Sequence, residues 1–592
     1  MAFATFTSTH LCILTPHQHG RQLFSQRTSS KVSASLNPTK PSTSNQTVVR
    51  RSGNYKPSIW EHHYLQSISS VFTGEEYTRR ADELKGRVKM MLEQVMDPLD
   101  QLELIDVLQR LGLSYHFMDE ISKTLEIINS SSTSWDNWKD NLYATSLQFR
   151  ILRQHGFHVP QDVFSSFLDD MGKFEGGLCG DTNGMLCLYE ASYFSIEGER
   201  ILEEAKDFTT RHLKENLEQN MYMDQNLAMQ VGHSLELPLH WRTQRLETRW
   251  FIDIYEQRHD MNLLLLELAK LDFNMVQATH LEEMQHMTRF FCRWWKDRGL
   301  TEKLGFARDR LMESYFWTIG VFSEPRSGYA RRMTTKLISL ISAVDDIYDV
   351  YGTIDELELF TDAIERWDIN ALEQLPYYMK ICFIALYNSI NEMAYDVLKE
   401  NGSYIISYMK KMCAELCNAY LIEAKWYHSG YTPTLSEYLG NAWMSISGPL
   451  ILIYAYFFIT KLVTKEALEY LEKYPSILRH TSIAFRLADD LGTSSDELKR
   501  GDVPKSIQCY MHETGASEEE ARDYIKCLIG EHWKKMNEDL FYVSPVSKSF
   551  VTVAMNLART AQYNYQYGDG FGVGDRETKD RVLSILIEPI KD

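Results

Sequence analysis

Through most of this chain apolar residues recur at three- and four-residue spacing, and that period decides the fold class before anything else. LDQLELIDVLQRLGL, MNLLLLELAKLDFNMVQ and SILRHTSIAFRLADDL each lay an apolar stripe along one side of a helix. Two-residue alternation closed by Asn-Gly or Gly-Gly turns is almost absent, so no sheet is expected. The 15 prolines fall mostly at segment edges such as HVPQDV, ELPLHW and SEPRSG, where they can start or stop helices without breaking them. We therefore expect an all-α chain. Its 592 residues suit two helical domains, one from about residue 61 to 270 and one from 271 to 592. The boundary is expected between LLLLELAKLDF and the Trp-rich FFCRWWKDRGL.

The first sixty residues are different in kind. They hold no Asp or Glu, seven basic residues (Arg21, Arg27, Lys31, Lys40, Arg50, Arg51, Lys56) and many Ser and Thr. Acid-poor, Ser-rich N-termini of this sort are organelle transit peptides, and the apolar run Leu11–Leu14 is too short for a secretory signal. Residues 1–49 are read as a plastid transit peptide, which places the mature protein in the chloroplast stroma. The whole chain carries a net charge of −19, which argues against nucleic acid as a partner. No run of 18 uninterrupted apolar residues occurs; the nearest, ILIYAYFFIT, is too short to span a membrane. The 9 cysteines include no CxxC pair, as expected in a reducing compartment. A monomer is expected.

Chemistry concentrates in two acidic patches. In LISLISAVDDIYDV, Asp345 and Asp349 are helical i,i+4 neighbours, with Asp346 beside them. In FRLADDLGTSSDELKRGD, Asp489, Thr493 and Glu497 follow at i, i+4 and i+8. Acidic pairs on helices are commonly solvated faces. Here, however, Ile338, Leu340, Ile341, Val344, Ile347 and Val350 surround the first patch, and burying carboxylates without a cation is costly. Hard oxygen donors without His or Cys suit Mg²⁺ or Mn²⁺, which keep waters and bridge to phosphates. Arg308 and Arg310 in FARDRL, Arg486, and Lys505 after the GDVP turn could bind a diphosphate that such ions bridge.

In combination these elements resemble a plant terpene synthase of the angiosperm monoterpene type, over essentially all of residues 50–592. Arg50, Arg51 and Trp60 match the tandem-arginine RRx8W motif, FARDRL the RxR element, VDDIYDV the aspartate-rich motif, and DDLGTSSDE the second metal motif (N/D)Dxx(S/T)xxxE. The resemblance implies a C-terminal class I terpenoid synthase helical bundle (271–592) and an N-terminal helical barrel without activity of its own (50–270). It further implies that Asp345, Asp349 and Asp346 hold two of three Mg²⁺ ions, with Mn²⁺ as an alternative. Asp489, Thr493 and Glu497 would hold the third. Arg308, Arg486 and Lys505 would grip the diphosphate, and Arg310 would support closure. Arg50 and Arg51 would cap the site and assist isomerisation before cyclisation. Trp317 and Tyr565 match aromatic positions of the pocket, Phe485 is a further candidate, and SISGPL (Ser445–Leu450) matches an interrupted helix whose freed carbonyls can face a cation.

The implied substrate is geranyl diphosphate, the C10 donor of plastids, and the implied reaction is its ionisation and conversion to a monoterpene. Cyclic products through the α-terpinyl cation are favoured over linalool, myrcene or ocimene, and over a sesquiterpene from farnesyl diphosphate. Ile338 stands where isoprene-forming relatives carry Phe, which argues against a C5 pocket. Phe167 stands where a DxDD acid would be needed, so protonation-initiated chemistry is not expected. A chain-elongating prenyltransferase would be expected to show DDxxD twice. A non-enzymatic helical scaffold leaves the two metal patches unexplained. No HExxH, GxSxG or P-loop occurs, and GDGFGVG follows a helical pattern rather than a strand.

Overall fold

Helices follow one another from His62 to Leu586 in a computed structural model of the chain. The structure describes residues 50–591 except 132–134, 136–137, 220–222, 298–302, 501–502 and 573–575. The transit peptide expected at 1–49 lies outside the described residues, as do the end of FFCRWWKDRGL and the first residues of the GDVP turn. Among the described residues the only β-pairing is an isolated bridge between Leu168 and Phe174. The all-α expectation holds.

Two apolar cores organise the helices. One gathers Trp60, Leu65 and the helices up to Met284; the other gathers residues from Leu304 to Tyr565. The helix Leu311–Val321 serves both. It sends Met312, Tyr315, Phe316 and Ile319 into the first core and Trp317 and Val321 into the second. A single helix, Leu263–Asp297, runs through residue 270 and gives Leu265–Met284 to the first core. The chain end returns to that core: Val582, Ile585, Leu586 and Ile590 pack into it, and Asn274 exchanges two hydrogen bonds of 2.8 Å with the Ile590 main chain.

Three local features position the site. Arg50–Trp60 forms no helix and lies as a strap along the second core's helices, to which it is hydrogen-bonded. The helix Gly328–Asp346 passes into a π-helical turn, Ile347–Tyr351, closed by an i→i+5 bond from Gly352 N–H to Ile347 O of 2.8 Å. Such widened turns gather at functional sites. The helix Leu435–Ser445 stops and Gly448–Ile459 restarts after Ser447, which sits at φ 64° in the left-handed region. The stretch Leu435–Ile459 is apolar and long enough to cross a membrane. Of its apolar window 89% is buried inside the protein, as befits a core element.

Candidate active site

The first acidic patch lies where the helix Gly328–Asp346 opens into its π turn. Asp345 and Asp349 are half-buried on one side, while Asp346 points inward and is fully buried. The main-chain N–H of Arg308 donates to Asp346 Oδ2 at 2.8 Å, and Arg308 Nε stands 3.1 Å from Asp346 Oδ1. Arg308 also donates to Asp345 Oδ2. Burial raises the Asp346 carboxyl to about 6, with Arg308 opposing. Asp346 was expected among the metal ligands. Both of its oxygens lie beside Arg308, which also holds Asp345; Asp345 and Asp349 are the less buried of the three.

The second patch lies on the helix Ser476–Arg500. Asp489 and Thr493 are buried and Glu497 is half-buried. Thr493 donates its hydroxyl hydrogen to Asp489 O at 2.9 Å, so the lone pairs of its oxygen remain for a cation. Arg486 Nη1 reaches Asp489 Oδ2 at 2.9 Å and Asp490 Oδ1 at 3.4 Å. Burial, reinforced by Glu497 and Asp490 and opposed by Arg486, lifts Asp489 well above the usual carboxylate range. Asp490, which the sequence left unassigned, has further partners beyond Arg486. It accepts from the Tyr438 hydroxyl at 3.0 Å and the Ser506 N–H at 3.1 Å, and so fixes the helix start beside Lys505.

Two buried residues link the patches electrostatically. The buried Tyr420 ring feels Asp345 and Asp349 from one patch and Arg486 from the other. Lys505, also buried, feels Glu497 on its own side and Asp349 opposite. Among the described residues no three acidic, His or Cys side chains converge on one point. The donor set nevertheless fits divalent cations of the magnesium kind, which take one or two carboxylates and complete their shell with water and phosphate. Arg486 Nε is buried without a hydrogen-bond acceptor, a cationic donor free for an anion.

Aromatic rings adjoin these charges. Trp317 lies 5.0 Å from Phe485, 5.9 Å from Tyr565 and 6.3 Å from Phe571, between ring centroids, and Tyr565 also faces Asp489. Phe571 belongs to GDGFGVG, whose role the sequence did not reveal. Gly492 allows this closeness, because a Cβ there would stand 2.9 Å from both Tyr565 Cβ and Gly568 O.

The strap is bonded to the first patch. Arg50 makes two bonds of 2.8 Å to the Glu356 carboxylate and one of 2.9 Å to Tyr351 O, and lies over the Tyr351 and Tyr378 rings. Arg51 donates to Asp349 O at 2.9 Å and covers Tyr427. Both arginines thus hold the π turn that carries Asp349. Arg310 is directed away from the aspartates: it donates to Gly572 O at 2.7 Å and Lys56 O at 3.2 Å, tying the strap to the C-terminal loop. Trp60 is buried with its indole facing Glu313. Glu356, Tyr378, Glu313 and Tyr55 were not foreseen, being joined to the motifs only by contacts across some 250–330 residues. In the first core, Phe167 is buried and Asp169 Oδ1 accepts from Met171 and Lys173 N–H in an exposed turn, which accounts for that acid structurally.

Residues 59–235 match the N-terminal domain of the terpene synthase family, and residues 296–535 its metal binding domain. The chain is 62% identical to (−)-alpha-terpineol synthase of Vitis vinifera, over 92% of this chain and 91% of that one. Several other relatives are named as chloroplastic enzymes. A crystal structure of limonene synthase with 2-fluorolinalyl diphosphate superposes with a TM-score of 0.88 at 46% identity, covering 92% of this chain and 100% of that one. Isoprene synthase from grey poplar, with three Mg²⁺ ions and dimethylallyl-S-thiolodiphosphate, gives 0.82 at 47% identity over 90% and 99%.

Proposed function

The chain belongs to the terpene synthase family, lyases acting on prenyl diphosphates, and from that premise we propose that it is a monoterpene synthase acting on geranyl diphosphate. What supports this reading is the electrostatic link between the two patches, with Lys505 feeling Glu497 and Asp349 and Tyr420 feeling Asp345, Asp349 and Arg486, together with the Trp317 ring cluster beside Asp489.

In this reading Asp345, Asp349 and Asp346 would hold two Mg²⁺ ions, with Asp346 also tied to Arg308, and Asp489, Thr493 and Glu497 would hold a third; Mn²⁺ is an alternative. The ions supply Lewis-acid stabilisation of the departing diphosphate. Arg308, Arg486 and Lys505 add positive charge where negative charge develops as the C–O bond breaks. The ring faces of Trp317, Phe485, Tyr565 and Phe571 then line a water-poor wall that favours the allylic cation. Carbonyls freed at the Ser447 break offer partial negative charge. Arg50 and Arg51 act through the π turn, keeping the cover closed while the geranyl cation isomerises. Cyclic products through the α-terpinyl cation are favoured, in keeping with the alpha-terpineol synthase likeness.

Residues 1–49 are proposed as a plastid transit peptide, supported by their composition and by the chloroplastic relatives. Residues 50–270 are proposed as an N-terminal domain without its own activity and 271–592 as the catalytic domain. Incubation with geranyl diphosphate and Mg²⁺, read by gas chromatography with mass detection, should give volatile C10 products. Product from farnesyl diphosphate alone would overturn the C10 assignment.

A further inference from the structure

Between Arg51 and Lys56 the strap makes a tight turn for which the roles given so far have no use. Asn54 sits at φ 47°, its N–H donates to Ser52 Oγ at 3.2 Å, and the Ser52 hydroxyl donates to Asn54 Oδ1 at 3.2 Å. A Cβ on Gly53 would stand 2.5 and 2.6 Å from two carbons of the Tyr55 ring, so any side chain there would displace that ring. The turn therefore folds Tyr55 back in one orientation. That orientation brings the ring onto the first metal patch. The Arg308 guanidinium lies over it, 5.3 Å from its centroid, and the phenol faces the Asp346 carboxylate, whose Oδ1 is buried without a hydrogen bond. Burial raises the Tyr55 hydroxyl well above its usual range, so it stays neutral and faces Asp346 as a donor.

Arg308 has two tasks that exclude each other in time. It is bonded to Asp345, the carboxylate assigned to a cation, and it is also assigned to the diphosphate. When Asp345 turns to a cation, the guanidinium loses a partner, while its main-chain N–H remains fixed to Asp346. We propose that Tyr55 is a positioning residue: its ring is the platform that holds the Arg308 guanidinium while it passes from Asp345 to the diphosphate. A long side chain restrained on a ring face gives up less rotamer freedom when it binds than one swinging in solvent. The inference rests on the function proposed above for the identity of the anion.

The test uses the full chain with the substitutions Tyr55→Phe, Tyr55→Ala and Gly53→Ala, and measures binding of inorganic pyrophosphate with Mg²⁺ by calorimetry alongside turnover. Tyr55→Phe, which keeps the ring, should bind pyrophosphate within about 2-fold of wild type. Tyr55→Ala and Gly53→Ala should both bind it about 10-fold more weakly, the upper range for a cation–π contact, with an unchanged thermal midpoint. Wild-type binding by Tyr55→Ala, or equal loss in Tyr55→Phe and Tyr55→Ala, would overturn the platform. Asp345→Ala separates this failure from that of the underlying function. If Asp345→Ala is inactive while Tyr55→Ala is normal, only the platform falls; if Asp345→Ala turns over geranyl diphosphate normally, the function falls.

Discussion

The main-chain N–H of Arg308 donates to Asp346 Oδ2 over 2.8 Å, which locks the arginine-bearing loop to the aspartate-bearing helix. Asp346 is thereby a corner brace. Removing it leaves the Arg308 charge short of its buried partner, a loss of about 3 kcal/mol. Asp346→Ala should show that loss in chemical unfolding, whereas Asp345→Ala, at a half-buried position, should cost less, about 1 kcal/mol, while abolishing turnover. Equal destabilisation by both would contradict the division of roles.

Arg310 gives a contrast with Arg486. Its guanidinium is spent on Lys56 O and Gly572 O, while Arg486 keeps a buried Nε without an acceptor. Arg310→Met should therefore leave inhibition by inorganic pyrophosphate within about 2-fold, and speed tryptic cleavage after Arg51 as the strap loosens. Arg486→Met should weaken that inhibition about 10-fold or more, the worth of one charge-assisted bond.

Glu313 predicts a pH dependence. Burial lifts its carboxyl from 4.5 to about 7, against its own backbone hydrogen bond and Arg310. The folded state then binds a proton more tightly than the unfolded state, so this group's contribution to stability falls as pH rises through that window. Glu313→Gln should flatten the decline between pH 5 and 8 by up to about 3 kcal/mol, at 1.36 kcal/mol per unit. Parallel urea midpoint curves for wild type and variant would show that the group is not shifted.

Gly492 is predicted to be sterically fixed. A methyl at that position would meet Tyr565 Cβ and Gly568 O at 2.9 Å, and the backbone oxygen cannot swing aside. Gly492→Ala should cost about 1–3 kcal/mol as an overpacked site and shift product ratios through Tyr565. An unchanged thermal midpoint with an unchanged product profile would count against this packing.

Helical periodicity and the spacing of Asp345, Asp349, Asp489, Thr493 and Glu497 were legible because they are local: a 3.6-residue period puts each set on one helix face. The π turn was not legible, since nothing in IYDVY distinguishes it from an ordinary helical turn. Nor was the inward turn of Asp346, or of Asp490 beside Asp489, because which neighbour of an Asp-Asp pair faces inward depends on distant partners such as Arg308 and Tyr438. The strap contacts join residues about 300 apart, and the return of Ile590 to Asn274 spans 316 positions. RRx8W marked the strap's two ends, while Tyr55 between them carried no signal of its own.

The most direct measurement is the Mg²⁺ dependence of diphosphate release from geranyl diphosphate by wild type, Asp345→Ala and Glu497→Ala, each with circular dichroism to confirm the helices. Wild type should show saturable release that stops with chelator. Each variant should fall by about 10²–10³-fold or more with its helicity intact. Release at the wild-type rate in both variants, or in the presence of chelator, would contradict the account.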